Sequence, residues 1–246
     1  METREKPLAS KVALVTGASK GIGRATTLQF GHAGAAVVAV ARTKAKLDAL
    51  GEEMATIGGG YLAVVGDVAE KATADAAIAA AMERFGRIDF MINNAGVGSY
   101  DAFTAYSVED YDRIMNTNMR STFLFTSGVV PIMKKQSSGL ILQVASQAGI
   151  RGFPREAIYC ATKHAQVGFT NALRMELQPY GIKVAVVCPA GVKTEFAIGD
   201  GRTPEFVANS GFLEADDVAE AILFAAKQRP NARMAQINLI ALQEGL

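Results

Sequence analysis

Tryptophan is absent from this sequence of 246 residues, and histidine and cysteine occur only twice each. The two cysteines, Cys160 and Cys188, cannot form a disulfide framework of the kind that holds small secreted proteins together. Neither cysteine stands in a spacing typical of metal ligands, so the sequence predicts no metal site. We expect both cysteines to pack in the core, and this low cysteine content favours a cytoplasmic location.

An excess of one charge and a long hydrophobic run are also missing. Lysine and arginine number 25 against 24 aspartates and glutamates, giving a net charge of +1. Without a basic stripe or a charged tail, the chain lacks the usual footprint of a nucleic-acid-binding protein. No apolar run approaches the ~18 residues of a transmembrane helix, and the first ten residues lack the apolar core of a signal peptide. We therefore expect neither a nucleic acid nor a membrane as a partner.

Short apolar runs alternate with longer helix-like segments along the whole chain. The runs predict strands over residues 11–16, 35–41, 61–66, 88–93, 139–146, 182–189 and 235–242. The segments between them predict helices over residues 22–33, 44–57, 71–85, 108–135, 157–178 and 215–228. Strands that are apolar throughout belong to a sheet covered on both faces. The pattern predicts one domain over residues 1–246, an α/β, Rossmann-type, doubly wound parallel sheet of seven strands with helices on both faces.

A glycine-rich stretch, TGASKGIG, follows the first predicted strand and opens the first helix. Its glycines allow a tight turn and a close approach of the backbone to a pyrophosphate, and the helix start offers unpaired N–H groups. The alternative is an ordinary glycine-rich turn between a strand and a helix. We predict a dinucleotide phosphate site at Gly17, Ser19, Lys20, Gly21, Ile22 and Gly23.

The end of the second strand bears on the choice of dinucleotide. An NAD site usually has an acidic residue there, which accepts from the ribose 2′-hydroxyl, whereas this chain has Ala41 followed by Arg42 and Thr43. A guanidinium can hold a 2′-phosphate in its planar fork, and Lys20 could reach the same group. The sequence therefore favours NADP(H), although each cation alone could be a solvated surface charge.

Two further strand ends point to the rest of the dinucleotide. Asp67 and Val68 follow the third strand, where the adenine is expected, and Asn94, Ala95 and Gly96 follow the fourth, where small residues let the backbone approach the ribose. Each stretch alone could be a plain turn.

Tyr159 and Lys163 are four residues apart, one turn apart on a single helix face, a spacing that is also common in ordinary helices. With the motifs above they resemble the one-domain branch of the short-chain dehydrogenase/reductase family. The resemblance extends over nearly the whole chain and rests on Thr16–Gly23, Asp67, Asn93–Gly96, Asn118, Ser146, Tyr159, Lys163 and the stretch PAGVKTEF from Pro189.

The resemblance implies a hydride transfer between the nicotinamide and a ketone or secondary alcohol. Tyr159 would act as the general acid or base, and Lys163 would lower the pKa of that phenol and hold the nicotinamide ribose. Ser146 would bind the substrate oxygen. Asn118, with Asn116 as a rival, would hold a water that connects Lys163 to solvent. The nicotinamide side would be lined by Pro189, Gly191, Val192 and Thr194.

The substrate itself is less well specified. We expect a substrate loop over about 191–214 and contacts to substrate from Ser146, Gln147, Phe153, Tyr159 and Phe196. Further apolar walls are predicted at Val97, Ala190, Phe206 and Phe212. Such walls suit a ketone with a hydrophobic arm. Arg151 and Arg155 could bind a carboxylate there or could be solvated surface charges.

The C-terminal stretch RMAQINLIALQEGL departs from the Asp-Gly-Gly ending of many members of the branch and resembles the subgroup with 3-hydroxy acid and serine dehydrogenases. The leading interpretation is a carbonyl reductase. The alternatives are a 3-hydroxy acid dehydrogenase, a 3-oxoacyl-carrier-protein reductase and, outside enzymes, an NADP-binding sensor or scaffold. The family's usual homotetramer is favoured, built partly on helices 108–135 and 157–178, and a dimer stays open.

Overall fold

A computed structural model describes residues 6–243 and contains one seven-stranded sheet. All neighbouring strands pair in parallel, in the order β3-β2-β1-β4-β5-β6-β7. The strands are β1 (Val12–Thr16), β2 (Ala36–Ala41), β3 (Tyr61–Val65), β4 (Phe90–Asn93), β5 (Gly139–Val144), β6 (Ile182–Pro189) and β7 (Gln236–Leu239). This arrangement confirms the predicted fold class.

Helices cover both faces of the sheet. They are α1 (Gly21–His32), α2 (Lys44–Ile57), α3 (Lys71–Phe85), α4 (Val108–Met115), α5 (Ser121–Gln136), α6 (Ala157–Leu177), α7 (Pro204–Ala208) and α8 (Ala215–Ala226). Val15 packs in the cluster that contains α1, α2 and α8, whereas its neighbour Leu14 packs in the cluster that contains α3 and α5. Two covered faces explain why the strands are apolar throughout. No helix within residues 6–243 is long and apolar enough to cross a bilayer.

The chain reverses its winding direction between β1 and β4, which lie side by side in the sheet. The hydroxyl of Thr16 accepts from the main-chain N–H of Asn94 over 3.0 Å, and the side-chain amide of Asn94 donates to the Thr16 carbonyl over 2.9 Å. These bonds fasten the start of the glycine loop to the end of β4. A crevice at the carboxyl ends of the strands, beside such a switch point, is where this fold binds ligands.

The predicted helix over 108–135 is interrupted in the structure. The hydroxyl of Ser107 accepts from the Asp110 N–H and begins α4 in a capping box, and a π-helical turn at Asn116–Arg120 then separates α4 from α5. Such a turn contains one more residue than an α-helical turn and is frequent at functional sites. An apolar periodicity does not reveal a single inserted residue, so the sequence predicted an unbroken helix.

The predicted substrate loop has more structure than its composition indicated. It contains α7, whose first turn is capped by the hydroxyl of Thr203, which accepts from the Phe206 N–H over 3.1 Å. Its two ends are joined, because Lys193 N–H donates to the Leu213 carbonyl over 2.8 Å and Leu213 N–H donates to the Gly191 carbonyl over 2.9 Å. The two ends of the loop are therefore held together by main-chain hydrogen bonds. We call this segment, residues 191–214, the flap.

Candidate active site

A cleft of about 810 Å³ lies at the carboxyl ends of the strands. Of the residues predicted for cofactor and substrate binding, all except Gly23 line it. The predicted catalytic residues Ser146, Tyr159 and Lys163 line it as well, whereas Asn118 is completely buried behind its wall. Residues far apart in the sequence are thus brought to one place.

The glycine loop has the backbone that its composition predicted. Gly17 and Gly21 have φ of +65° and +52°, in the left-handed region that side chains disfavour. A Cβ on Gly23 would lie 2.3 Å from the Gly17 carbonyl oxygen, so α1 packs tightly against the loop. No side chain caps the start of α1, which leaves its first N–H groups for a ligand.

Thr194 of the flap lies directly on this loop. Its Cγ2 is 3.0 Å from the position that a Cβ on Gly21 would take. The Thr194 hydroxyl accepts from the Phe196 N–H over 3.2 Å, which turns the flap back toward the cleft. Glycine at position 21 therefore permits both the turn and the contact between flap and loop.

Cations gather at the β2 end of the cleft. Arg42 is exposed there, and no carboxylate among residues 6–243 pairs with it. Lys20 and Lys46 both lie near Glu195 of the flap, at N–O distances of 3.6 and 3.0 Å. The hydrogen bond from Lys46 holds the pKa of Glu195 below its usual value. Lys46 was missed in the sequence, because only the fold brings α2 opposite the flap.

Lys163 is buried and has defined partners. Its ammonium donates to the Val144 carbonyl over 2.9 Å and to the side-chain oxygen of Gln166 over 3.0 Å. Burial lowers the pKa of Lys163 to about 8. The amide nitrogen of Gln166 donates to the Asn118 carbonyl and to the Thr122 hydroxyl, each over 2.9 Å. Sequence reasoning missed Gln166, although its place one turn after Lys163 on the same face was a signal.

Asn118 joins two parts of the site. Its side chain accepts from the Val97 N–H over 2.8 Å, and donates to the Val97 carbonyl over 2.9 Å and to the Thr162 hydroxyl over 3.0 Å. These bonds tie the segment after β4 to α6. Because the side-chain amide of Asn118 is already hydrogen-bonded to Val97 and Thr162, it is the main-chain carbonyl of Asn118 that binds Gln166.

Tyr159 is 7% exposed and lies against the flap, with its ring centroid 5.7 Å from that of Phe196. Burial raises the pKa of the Tyr159 phenol and Tyr100 adds to this, whereas a hydrogen bond with Ser146 lowers it. Burial therefore sets the direction of the shift, and the lowering expected from Lys163 stays a prediction. The ammonium lies 5.6 Å from the ring centroid and donates to Val144 and Gln166.

Ser146 lies two residues beyond the end of β5, where the predicted strand was too long. Its Oγ accepts from the Ala148 N–H over 3.1 Å, and the hydroxyl also hydrogen-bonds with the Tyr159 phenol, so the two hydroxyls lie side by side in the cleft. Gln147 lines the cleft, but its amide donates to the Cys188 carbonyl over 2.8 Å. Cys160 and Cys188 are both buried and free, as predicted.

The substrate end of the cleft is mostly aromatic. Arg151 stacks over the Phe153 ring at 4.9 Å, whereas Arg155 pairs with Asp101 at 3.8 Å and does not line the cleft. The sequence missed several residues that do line this end, because they come from separate loops: Tyr100, Glu156 and Arg202.

Comparison with known proteins agrees with this geometry. The sequence profile of the short chain dehydrogenase family matches residues 11–204. A 3-oxoacyl-[acyl-carrier-protein] reductase of Synechocystis sp. is 35% identical over 222 residues, which cover 89% of this chain and 90% of that protein.

Two solved structures are similar over nearly their full length. A 3-ketoacyl-(acyl-carrier-protein) reductase from Brucella melitensis, complexed with NADH, has a TM-score of 0.87 and 33% identity, covering 96% of this chain and 99% of its own. A serine dehydrogenase complexed with NADP⁺ has a TM-score of 0.87 and 27% identity, covering 93% and 94%. The chain belongs to the short-chain dehydrogenase/reductase family of oxidoreductases.

Proposed function

We propose that the protein is an NADP(H)-dependent oxidoreductase that interconverts a ketone and a secondary alcohol, a carbonyl reductase. The observation that carries this proposal is that Ser146, Tyr159 and Lys163 line the same cleft as the glycine loop. The loop and the uncapped start of α1 suit a pyrophosphate. A Cβ on Gly96 would lie 3.7 Å from the Lys163 ammonium, so glycine there keeps the cleft open beside it.

In ketone reduction, a bound nicotinamide supplies the hydride. The Ser146 hydroxyl donates a hydrogen bond to the carbonyl oxygen, and Tyr159 transfers its proton to the same oxygen as negative charge develops there. Two N–H groups of Lys163 are used by Val144 and Gln166, which leaves the third for the nicotinamide ribose. In alcohol oxidation, Tyr159 takes the proton back.

The residues around the cleft support a binding mode for the rest of the cofactor. Arg42, Lys20 and Lys46 would surround a 2′-phosphate, and Ala41 leaves no carboxylate at the end of β2 to repel it. We assign the adenosine side to Thr43, Asp67, Val68, Asn94 and Ala95, and the nicotinamide side to Pro189, Gly191, Val192 and Thr194.

A 3-oxoacyl-carrier-protein reductase is the second candidate, favoured by the names of two similar proteins. The similarity to a serine dehydrogenase supports a 3-hydroxy acid dehydrogenase as a third candidate.

We further propose that the protein forms a homo-oligomer, with a tetramer favoured over a dimer, and that it is located in the cytoplasm. The long helices expose large apolar side chains that a second copy could cover: Val108, Tyr111, Phe123 and Met175.

The test is NADPH oxidation with a panel of ketones, 3-oxo acids and 3-oxoacyl thioesters, repeated with NADH. Tyr159→Phe should keep its affinity for NADPH and lose turnover by about 10³-fold. Tyr180→Phe, at an exposed tyrosine outside the cleft, is the matched control and should keep full activity. Near-normal turnover by Tyr159→Phe would refute the mechanism, and NADPH binding without turnover of any carbonyl would favour a sensor.

A further inference from the structure

Arg202 lies half-buried in the wall of the cleft, on the flap. Its guanidinium carbon is 5.0 Å from the ring centroid of Tyr100, 5.3 Å from that of Phe212 and 5.8 Å from that of Phe196. Aromatic rings on several sides attract a cation and exclude water from its faces. One part of the guanidinium edge hydrogen-bonds with the Tyr100 hydroxyl, and the other N–H groups of the edge are what remains for a ligand.

The position of this arginine is fixed by the backbone around it. Gly201 has a φ of +107°, and a Cβ there would lie 2.5 Å from Cβ of Tyr100. Tyr100 N–H donates to the Asp200 carbonyl over 3.0 Å, and Arg202 N–H donates to the Ala197 carbonyl over 3.0 Å. The close approach that glycine allows therefore places the arginine against Tyr100.

No carboxylate among residues 6–243 lies within 4 Å of the Arg202 guanidinium. Four other arginines among the described residues do have acidic partners: Arg24 with Glu53, Arg87 with Asp89, Arg113 with Asp110 and Arg155 with Asp101. Glu156 lines the same cleft at a greater distance, where burial raises the pKa of its carboxyl and the charge of Arg202 lowers it. Within the described residues Arg202 is thus a cation in the cleft wall with no ion pair, and an anion bound in the cleft would be attracted to it.

Arg202 is close enough to the reacting groups to bind the same molecule. A single ring separates it from Tyr159, since Phe196 is 5.7 Å from the Tyr159 ring and 5.8 Å from the guanidinium. The charge of Arg202 also acts on Tyr159, where it lowers the pKa against the larger effect of burial. Arg202 and Tyr159 therefore both border the part of the cleft beside Phe196, where a single bound molecule can contact both.

We propose that Arg202 binds a carboxylate of the substrate, so that the carbonyl compound is an oxo acid rather than a neutral ketone. A carboxylate fits the guanidinium fork with two parallel hydrogen bonds, and the Tyr100 hydroxyl offers a further donor in the same wall. This inference rests on the proposed function, and it names Arg202 where the sequence offered Arg151 and Arg155 either as carboxylate ligands or as solvated surface charges.

The test compares 3-oxohexanoate with its neutral methyl ester, using NADPH and the full-length protein. The wild type should prefer the acid, and Arg202→Met should raise KM for the acid by about 10- to 100-fold while changing kinetics on the ester by less than about threefold. Arg202→Lys should give an intermediate KM. Arg155→Met is the matched control, an arginine that does not line the cleft, and should leave both substrates unchanged.

The outcomes separate this site from the underlying activity. Turnover of the ester with no preference for the acid, or equal effects of Arg202→Met on both compounds, would overturn the carboxylate site and leave the oxidoreductase intact. If Glu156→Gln changed the kinetics on the acid and the ester in the same way as Arg202→Met, the role of Arg202 would be to balance the charge of Glu156. That result would also overturn the proposal. No turnover of any carbonyl would refute the proposed function itself.

Discussion

The ammonium of Lys163 donates to the side-chain oxygen of Gln166 over 3.0 Å, and both residues are buried. The other end of the Gln166 amide donates to the Asn118 carbonyl over 2.9 Å. An amide in this position satisfies one donor and one acceptor at once and cannot change its orientation without losing both. Gln166 is therefore a positioning residue for Lys163, set on the same helix as the residue it orients.

Replacing Gln166 should move the pH dependence of activity. Gln166→Leu removes the acceptor, so the pKa of Lys163 should fall below about 8 and the alkaline limb of kcat should move to lower pH. Gln166→Glu adds a negative charge, so the limb should move to higher pH. Steady-state rates between pH 6 and about 10 measure both. A loss of rate with the same pH profile in both variants would reduce Gln166 to a packing residue.

Arg42→Asp should shift the preference from NADPH toward NADH. The introduced carboxylate repels a 2′-phosphate and accepts from a 2′-hydroxyl, so KM for NADPH should rise by about 10- to 100-fold. Lys46→Met should raise KM for NADPH by a smaller factor and leave NADH unaffected. Lys44→Met is the control, because this nearby lysine pairs with Asp48 at 2.7 Å. An unchanged NADPH/NADH ratio in Arg42→Asp would show that Arg42 does not contact the phosphate.

Two glycines in helices should respond oppositely to alanine. A Cβ on Gly23 would meet backbone at 2.3 Å, so Gly23→Ala should destabilise the fold by ~1–3 kcal/mol and abolish dinucleotide binding. Gly168 has nothing within 4 Å of its missing Cβ, so Gly168→Ala should stabilise α6 by ~0.5–1 kcal/mol. Chemical denaturation and NADPH titration measure both effects. Equal behaviour of the two variants would contradict the tight packing of α1 on its loop.

Lys163 should make the unliganded protein more stable as the pH rises from 8 to 10. Its pKa is about 8 in the folded chain and near its ordinary value of 10.5 when unfolded. In this window Lys163 binds more protons in the unfolded chain, so its contribution to the free energy of unfolding increases with pH, by at most ~3 kcal/mol. Burial also raises the pKa of the Cys188 thiol to about 11, which opposes this increase above about pH 9, so the Lys163 contribution is measured as a difference from a variant that lacks the ammonium.

Lys163→Met should lack that increase, and denaturation at each pH gives the comparison. Above about pH 10 the trend should reverse, because burial raises the pKa of Tyr61 and of Tyr100 to about 12 while the unfolded phenols ionise. Parallel pH curves for wild type and Lys163→Met would contradict a buried ammonium.

The parts of the fold that local patterns determine were predicted well. The seven strands, the glycine turn and the helix with Tyr159 and Lys163 depend on periodicity and on short motifs, and the sequence indicated each of them. The sequence did not indicate Gln166, Lys46 and Arg202, because their places in the site depend on contacts with residues far away in the chain. These contacts are with Asn118, Glu195 and Tyr100, respectively. The catalytic roles of the site residues are predictions that the Tyr159→Phe and Gln166 variants test.

The π-helical turn at Asn116–Arg120 sets the rotational phase between α4 and α5. Each residue of an α-helix advances the chain by about 100°, so deleting one residue from this turn would rotate one helix against the other by roughly that angle. Asn118 would then leave Val97 and Thr162, while the apolar faces on one side of the deletion would turn away from the core. Insertions and deletions at this point are therefore expected to be far less tolerated than substitutions.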